Sequence, residues 1–305
     1  MHPRRAEEAA APIGPAYENE PLGIIAAGGD LPRILAEGAV MAGFRPIVAR
    51  FADGIGAGWA DDFGARDFRW GEAGDAIAWF QSEKVRRVVS GGTVSVRPDF
   101  RAVRPTWRTL QLLHHAIRIM RGGDDSVLKR TARFLEGRGF ELMAVQDLAP
   151  QLLMPSGYLG RRVASPDERA ALALAARAAR TIGILDAGQA AVASQQRVIA
   201  MEGIEGTREM LQRVGDLAKR GRIGAREVCV LVKAVKPGQD RRFDLPSIGA
   251  ATVREAAEAG IRGIGLTAGY GLVIGFEDLV AAADAADVFV VGVEPDDEQL
   301  AGDAP

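Results

Sequence analysis

Between residues 231 and 249 the chain reads LVKAVKPGQDRRFDLPSIG, which places four cations and two carboxylates in a turn-forming segment. Lys233, Lys236, Arg241 and Arg242 attract a polyanion, and Asp240 and Asp244 can hold a divalent cation between that polyanion and the protein. That is the chemistry of a diphosphate site. Pro237 and Gly238 supply a turn, and Phe243 and Leu245 would anchor the loop in apolar surface while the charges face a ligand. A run of charges is usually a solvated face. This one is punctuated by Pro, Gly, Phe and Pro, a pattern that suits a loop of defined shape.

Other polar groups could serve the same chemistry. Asp186, Gly188 and Gln189 precede a hairpin, and Glu202, Glu205 and Thr207 lie near the start of the next helix. An acid there serves either a ligand or the helix macrodipole. In the first half, Gly28, Gly29 and Asp30 follow the apolar run LGIIAA, and SGGTVSVRP follows a later one. Glycines after a strand let the backbone approach a phosphate and open a helix whose N-terminus favours anions. Loops at the carboxyl ends of neighbouring parallel strands converge on one crevice. Gly28, Gly29, Gly91 and Gly92 are therefore expected to line one cleft, with Thr93, Ser95 and Arg97 adding polar contacts. A plain tight turn with no ligand is the alternative. A nicotinamide fingerprint needs G-x-G-x-x-G and an acid near the end of the second strand. The run here is Ala27-Gly28-Gly29 and Arg50 stands near that end, which argues against NAD.

Composition narrows the classes. A hydrophobic content of 48% and a charged content of 26% are those of an ordinary globular protein. A net charge of −2 argues against non-specific nucleic-acid binding as the main task, so no nucleic-acid partner is expected. No segment approaches the roughly 18 apolar residues of a membrane span. The first twenty residues lack the apolar core of a secretory signal and read as a disordered tail, so a cytoplasmic location is expected. The single cysteine, Cys229 in VCVLV, excludes an intramolecular disulfide and reads as a small buried hydrophobe. Three histidines, one of them His2, are too few for most zinc sites. Metal chemistry should then use oxygen ligands, which points to magnesium, with manganese as a substitute.

The elements that must position these residues follow from periodicity. Strands expected at 22–27, 45–49, 67–70 and 87–90 alternate with helices at 31–41 and 73–81, which predicts a parallel sheet with helices on its faces. From 107 to 121, Leu110, Leu113, Ile117 and Met120 recur at helical spacing. Core packing is the plain reading of that helix. Its flanking Arg108, His114, His115, Arg118 and Arg121 also suit anionic lipid or a lipid substrate. A helix at 126–136 and a strand at 140–145 follow. Residues 149–165, punctuated by prolines and glycines, read as a linker. Ser165 and Pro166 open a helix to about 182, and strands at 188–193 and 197–202 form a hairpin. A helix carrying Met210, Val214 and Leu217 comes next, then strands at 228–232, 263–267, 272–274 and 288–293 with helices at 252–259 and 276–285. The expected fold class is α/β with two domains. Residues 21–148 form a Rossmann-like parallel sheet and 166–293 a second α/β domain, with tails at 1–20 and 294–305 and a substrate cleft between the domains.

Taken together, LGIIAAGGDLP, SGGTVSVRPDF, DAGQAAV, the IEGT turn and above all VKAVKPGQDRRFDLPSIG resemble the LpxI-type UDP-2,3-diacylglucosamine pyrophosphatases of bacterial lipid A and lipopolysaccharide synthesis. The likeness runs in the same order over about residues 21 to 293. Ala27 departs from it, standing where the family commonly has a third glycine. The resemblance implies hydrolysis of UDP-2,3-diacylglucosamine to UMP and 2,3-diacylglucosamine 1-phosphate (lipid X), with magnesium and with water attacking the phosphorus on the sugar side. It implies two domains with substrate between them, and an essential aspartate at Asp240 or Asp244 without deciding which.

Such a hydrolysis needs charge neutralisation, a positioned water and a stabilised leaving phosphate. Asp240 or Asp244 would bind Mg²⁺, Lys236 and Arg241 would offset charge growing on phosphate, and the other aspartate or Glu205 would orient or deprotonate the water. Two acyl chains further demand shielding at the edge of a bilayer. The expectation is a peripheral visitor to the cytoplasmic face of the inner membrane, with the 107–121 helix and the interdomain groove as candidate shields. The sequence is compatible with a homo-oligomer. Two other classes compete: a Rossmann-type oxidoreductase, which nicotinamide binding would reveal, and a non-catalytic sugar-nucleotide or lipid-binding sensor, which metal-dependent turnover would dispose of.

Overall fold

Strands buried on both faces read as near-continuous apolar runs, and PLGIIA is one of them. It forms β1 (Pro21–Ala26) at the centre of the first sheet. The structure, a computed structural model, describes residues 17–94, 103–112, 124–236, 242 and 245–295. By contacts the chain divides into unit 1, Met1–Leu112 with Gly139–Met143, and unit 2, Leu113–Arg138 with Ala144–Pro305.

In unit 1, β1 pairs in parallel with β2 (Arg45–Arg50) and β4 (Arg87–Gly91), so that Ile24 stands beside Val48 and Val89. With β3 (Gly64–Asp67) and β5 (Glu141–Leu142) the order is β3-β2-β1-β4-β5, parallel throughout. Helix α1 (Leu31–Met41) lies over Gly91, where any side chain would strike Leu35 and Leu31. Helix α2 (Ala73–Ser82) sets Phe80 over Gly23. Gly91 is in register with Ala26, an odd number of residues from Gly23. Successive strand residues face opposite ways, so the two helices cover opposite faces of the sheet.

Two strands are displaced from their expected places. The one expected at 67–70 forms at Gly64–Asp67, because Glu72 accepts the Arg69 N–H and starts a turn at Trp70. The one expected at 140–145 keeps only Glu141–Leu142, because Asp147 accepts the Ala144 N–H and begins the short helix α5 (Val145–Leu148). Of the helix expected at 107–121, the described part is α3 (Trp107–Leu110), which buries no residue; Leu113, His114, His115, Ile117, Arg118, Met120 and Arg121 lie outside the described residues.

Unit 2 holds a six-stranded sheet in the order β6-β13-β11-β9-β7-β8. Its centre is β9 (Cys229–Lys233), β11 (Ile261–Thr267) and β13 (Phe289–Val293), mutually parallel. The hairpin β7 (Ala190–Ala193) and β8 (Val198–Met201) joins antiparallel at one side, and β6 (Gly157–Leu159) at the other. On one face the long helix α6 (Pro166–Ile184) presses Ala175, Ala178 and Ala179 onto Ala191, Ala193 and Val232. Small side chains on both partners let helix and sheet come close. The other face, with Ala190, Val192, Leu231 and Ile264, is covered by α7 (Gly206–Lys219), α8 (Ala250–Glu258) and α9 (Phe276–Ala286). A separate parallel pair joins β10 (Ser247–Gly249) to β12 (Leu272–Ile274).

The stretch 149–165, expected as a linker, lies within unit 2 and contributes β6 to its sheet, while helix α4 (Asp124–Glu136) belongs to unit 2 although β5 follows it in the chain. Prolines and glycines mark reversals of the chain, not the hydrogen-bonded edge strand that lies between two reversals.

Candidate functional site

Lys233 closes β9 on the face covered by α7 to α9, since it pairs with Ala190 and lies two residues beyond Leu231. Only 8% exposed, it spends its ammonium on the Ser247 carbonyl at 3.0 Å, tying β9 to β10. The next residues are pinned on both sides. The Ala234 N–H donates to the Gln189 carbonyl at 2.8 Å, and the Val235 N–H donates to Thr267 Oγ1 at 3.1 Å. Lys236 then reaches Asp186 Oδ1 at 2.8 Å, with 11% of its side chain exposed. Asp186 itself sits in the left-handed region at φ 52°, at the turn between α6 and the hairpin.

Downstream, the loop regains the described fold at buried Leu245 and Pro246, whose carbonyl accepts the Leu272 N–H. Within it, Arg242 donates to Glu136 of α4 at 2.7 Å. Asp240, Asp244 and Arg241 lie outside the described residues, as do Pro237, Gly238 and Phe243. The loop is thus anchored at both ends, by Ala234 to Lys236 and by Leu245 onward.

The hairpin residues form one network. Glu202 is buried, and its carboxylate accepts the Gln189 N–H at 2.8 Å and the Thr207 hydroxyl at 2.6 Å. Gly188 fits beside it only as glycine, because a side chain would begin 2.5 Å from the Glu202 carbonyl oxygen. Gln189 Oε1 is buried and has no donor among the described residues. A buried acceptor without a donor is costly, so this oxygen is available to a ligand hydroxyl or a water. Asp186, Gln189, Thr207, Lys233 and Lys236 are therefore gathered around the carboxyl end of β9. Glu205 is turned elsewhere: its carboxylate takes the Arg213 guanidinium at 2.6 Å, and the same guanidinium group holds the Met201 carbonyl.

Unit 1 gathers the glycine turns separately. Gly28 and Thr93 exchange both backbone hydrogen bonds, at 2.9 and 2.8 Å, and the Ala27 N–H donates to Gly91. Gly92, at φ 105°, passes so close to the Gly28 carbonyl that a side chain would begin 2.6 Å from its oxygen. Asp30 precedes α1, its side chain making no capping bond, and the first turn of that helix carries no acid. Arg97 and Ser95 are outside the described residues. Arg50 turns out to be structural. It is buried, and its guanidinium holds Asp67 at 2.6 Å, Asp61 at 2.9 Å and the Ala57 carbonyl at 2.8 Å.

Among the described residues no three His, Cys, Asp or Glu side chains form a group that could hold a metal ion. Nor does any helix among them have the length and apolarity to cross a membrane. Thr267, which anchors Val235, and Asp53, which faces Gly28, were not found by sequence reasoning. Thr267 ends a strand over thirty positions away, and only the pairing of β9 with β11 brings it near.

The comparisons with known proteins agree along the chain. The family model of the LpxI N-terminal domain matches residues 21–152, and that of the LpxI C-terminal domain matches residues 155–291. A curated protein of Caulobacter vibrioides, UDP-2,3-diacylglucosamine pyrophosphatase LpxI, is 42% identical over 279 residues, which cover 90% of this chain and 98% of that protein. Among solved structures, the C-terminal domain of the coenzyme A biosynthesis bifunctional protein CoaBC aligns over 68% of this chain and all of its own, at 13% identity and a TM-score of 0.22, a likeness too slight to carry an argument.

Proposed function

The chain belongs to the LpxI family, and on that premise we propose that it hydrolyses the diphosphate of UDP-2,3-diacylglucosamine, releasing UMP and 2,3-diacylglucosamine 1-phosphate (lipid X). The observation that carries the reading is the family match along both halves of the chain. The chemistry of unit 2 supports it. Lys236 is a cation held in place by Asp186 next to the loop that bears both candidate aspartates, so its charge is oriented before any substrate arrives. Lys233, bound to the Ser247 carbonyl, adds positive charge behind it.

In this reading Lys236 and Arg241 offset the charge that grows on phosphate as the bond to the leaving group breaks. One of Asp240 and Asp244 orients or deprotonates the attacking water. Glu205 is the weaker candidate for that step, because its carboxylate is already matched by Arg213. Gln189 and Thr207, fixed by Glu202, present polar groups to the substrate.

Among the described residues no group of three His, Cys, Asp or Glu could hold a metal ion, and Asp240 and Asp244 lie outside them. Magnesium, or manganese in its place, remains our proposal on the oxygen-donor chemistry of Asp240 and Asp244. It would neutralise diphosphate charge when bound. A diacylated substrate further suggests a cytoplasmic protein that meets the inner membrane peripherally. The test is UMP release from UDP-2,3-diacylglucosamine by the purified chain and by its D240N and D244N variants. Turnover by the wild type and a fall of at least about a hundredfold in one variant are expected; near-normal turnover in both would refute the assignment of the loop.

A further inference from the structure

Asp53 has no part in the reading above, yet the fold goes to some length to place it. It lies three positions beyond β2, on the single turn Ala52–Gly54. Its Cβ packs against Gly28, where any side chain would begin 2.6 Å away. Its neighbour Gly54 lies flush on the end of β1, so close that a side chain would begin 2.6 and 2.8 Å from the Ala26 and Ala27 carbonyl oxygens. Ala52, just before, adopts φ 47°, a left-handed conformation unfavourable for alanine. Two close fits and a strained residue thus fold the chain after β2 back over the end of β1 and set Asp53, an exposed residue, against Gly28.

The position has chemical meaning. Gly28 is bonded to Thr93 after β4, so Asp53 stands where the loops of β1, β2 and β4 meet. In the order β3-β2-β1-β4-β5 the chain first grows outward from β1 through β2 and β3, then returns to build β4 and β5 on the other side. Open parallel sheets bind ligands outside the carboxyl ends of the strands at that reversal. There the glycine turn and helix N-terminus suit a phosphate, and an acid after the second strand suits the hydroxyls of a ribose. Here Gly28, Gly29 and the start of α1 supply the first part. Arg50, at the end of β2, is held by Asp61 and Asp67, and Asp53 is the acid after β2 whose Cβ lies against Gly28.

We propose that the Asp53 carboxylate accepts hydrogen bonds from the ribose hydroxyls of a nucleoside 5′-phosphate bound at this crevice of unit 1. That the nucleoside is uridine rests on the function proposed above. The test is calorimetric titration of the full-length protein, in magnesium buffer, with UMP and with 2′,3′-dideoxy-UMP. Wild type should prefer UMP by about tenfold to a hundredfold, the worth of a hydrogen bond to a charged group. In D53A the preference should fall to near one. D53N, which keeps the shape of the side chain and serves if D53A does not fold, should lower it at least threefold. An undiminished preference in the folded variant overturns the proposal, as does a wild type that binds both nucleotides equally or neither. Hydrolysis of UDP-2,3-diacylglucosamine by the wild type is measured alongside. Hydrolysis without the preference counts against Asp53 alone, whereas the preference without hydrolysis counts against the proposed function alone.

Discussion

Lys236 and Asp186 are fifty positions apart in the chain and 2.8 Å apart in space, and this pair makes the sharpest predictions at the residue scale. If Lys236 stabilises charge on phosphate, K236M should lower kcat about a hundredfold or more, the usual cost of removing a preorganised cation or donor. D186N should cost about tenfold, since it frees the lysine without removing it. The double variant should be no slower than K236M alone, because Asp186 acts through the lysine. Additive losses in steady-state assays would show that Asp186 has a separate role. Cys229 offers a contrast. Burial pushes its thiol up to about 11, with the Glu227 charge adding to the effect, so a thiol-specific alkylating reagent at neutral pH should label it only after denaturation.

At the scale of elements, helix α6 is held at its start by a reciprocal cap. The Ser165 hydroxyl accepts the Glu168 N–H, and the Glu168 carboxylate accepts the Ser165 N–H at 2.8 Å. Serine followed three residues later by glutamate, with proline between, is a helix start legible in sequence. S165A should therefore destabilise unit 2 by about 1 kcal/mol in denaturant titration. Gly263 of β11 is the opposite case, since nothing local marks it. It stands beside Phe289 of β13, and a Cβ there would lie 2.0 Å from the ring. G263A should cost about 1–3 kcal/mol through overpacking. G263A/F289L should lose less than the sum of the two single changes, because the smaller residue makes room for the methyl group.

At the scale of the molecule, stability should depend on pH through Glu227. Arg197, by direct hydrogen bonds, together with the Gly224 N–H holds its carboxyl down from 4.5 to about 2. A carboxyl depressed in the folded state stabilises the fold at pH values above its unfolded pKa, and that contribution is lost as pH falls through the folded value. Urea midpoints of the wild type should therefore drop between pH 4.5 and about 2 more steeply than those of E227Q. Equal slopes would show that the Arg197 pairing does not govern acid stability. The same pairing closes the turn between β7 and β8, since Ser194 Oγ also donates to Glu227 at 2.9 Å.

The sequence alone determined the class of fold and the kind of chemistry. Apolar runs alternating with helical periods imply a parallel sheet, and a basic, carboxylate-bearing loop after a buried strand implies a polyanion, because periodicity and charge are local properties of the chain. It could not determine which distant residues meet. Tertiary structure alone decided that Lys236 is held by Asp186 and that Val235 is anchored by Thr267. It also set Glu205 against Arg213, took β6 out of an apparent linker and aimed Asp53 at Gly28. Each of these depends on strand order and register, which are settled by the packing of the whole sheet and leave no signature within a single segment.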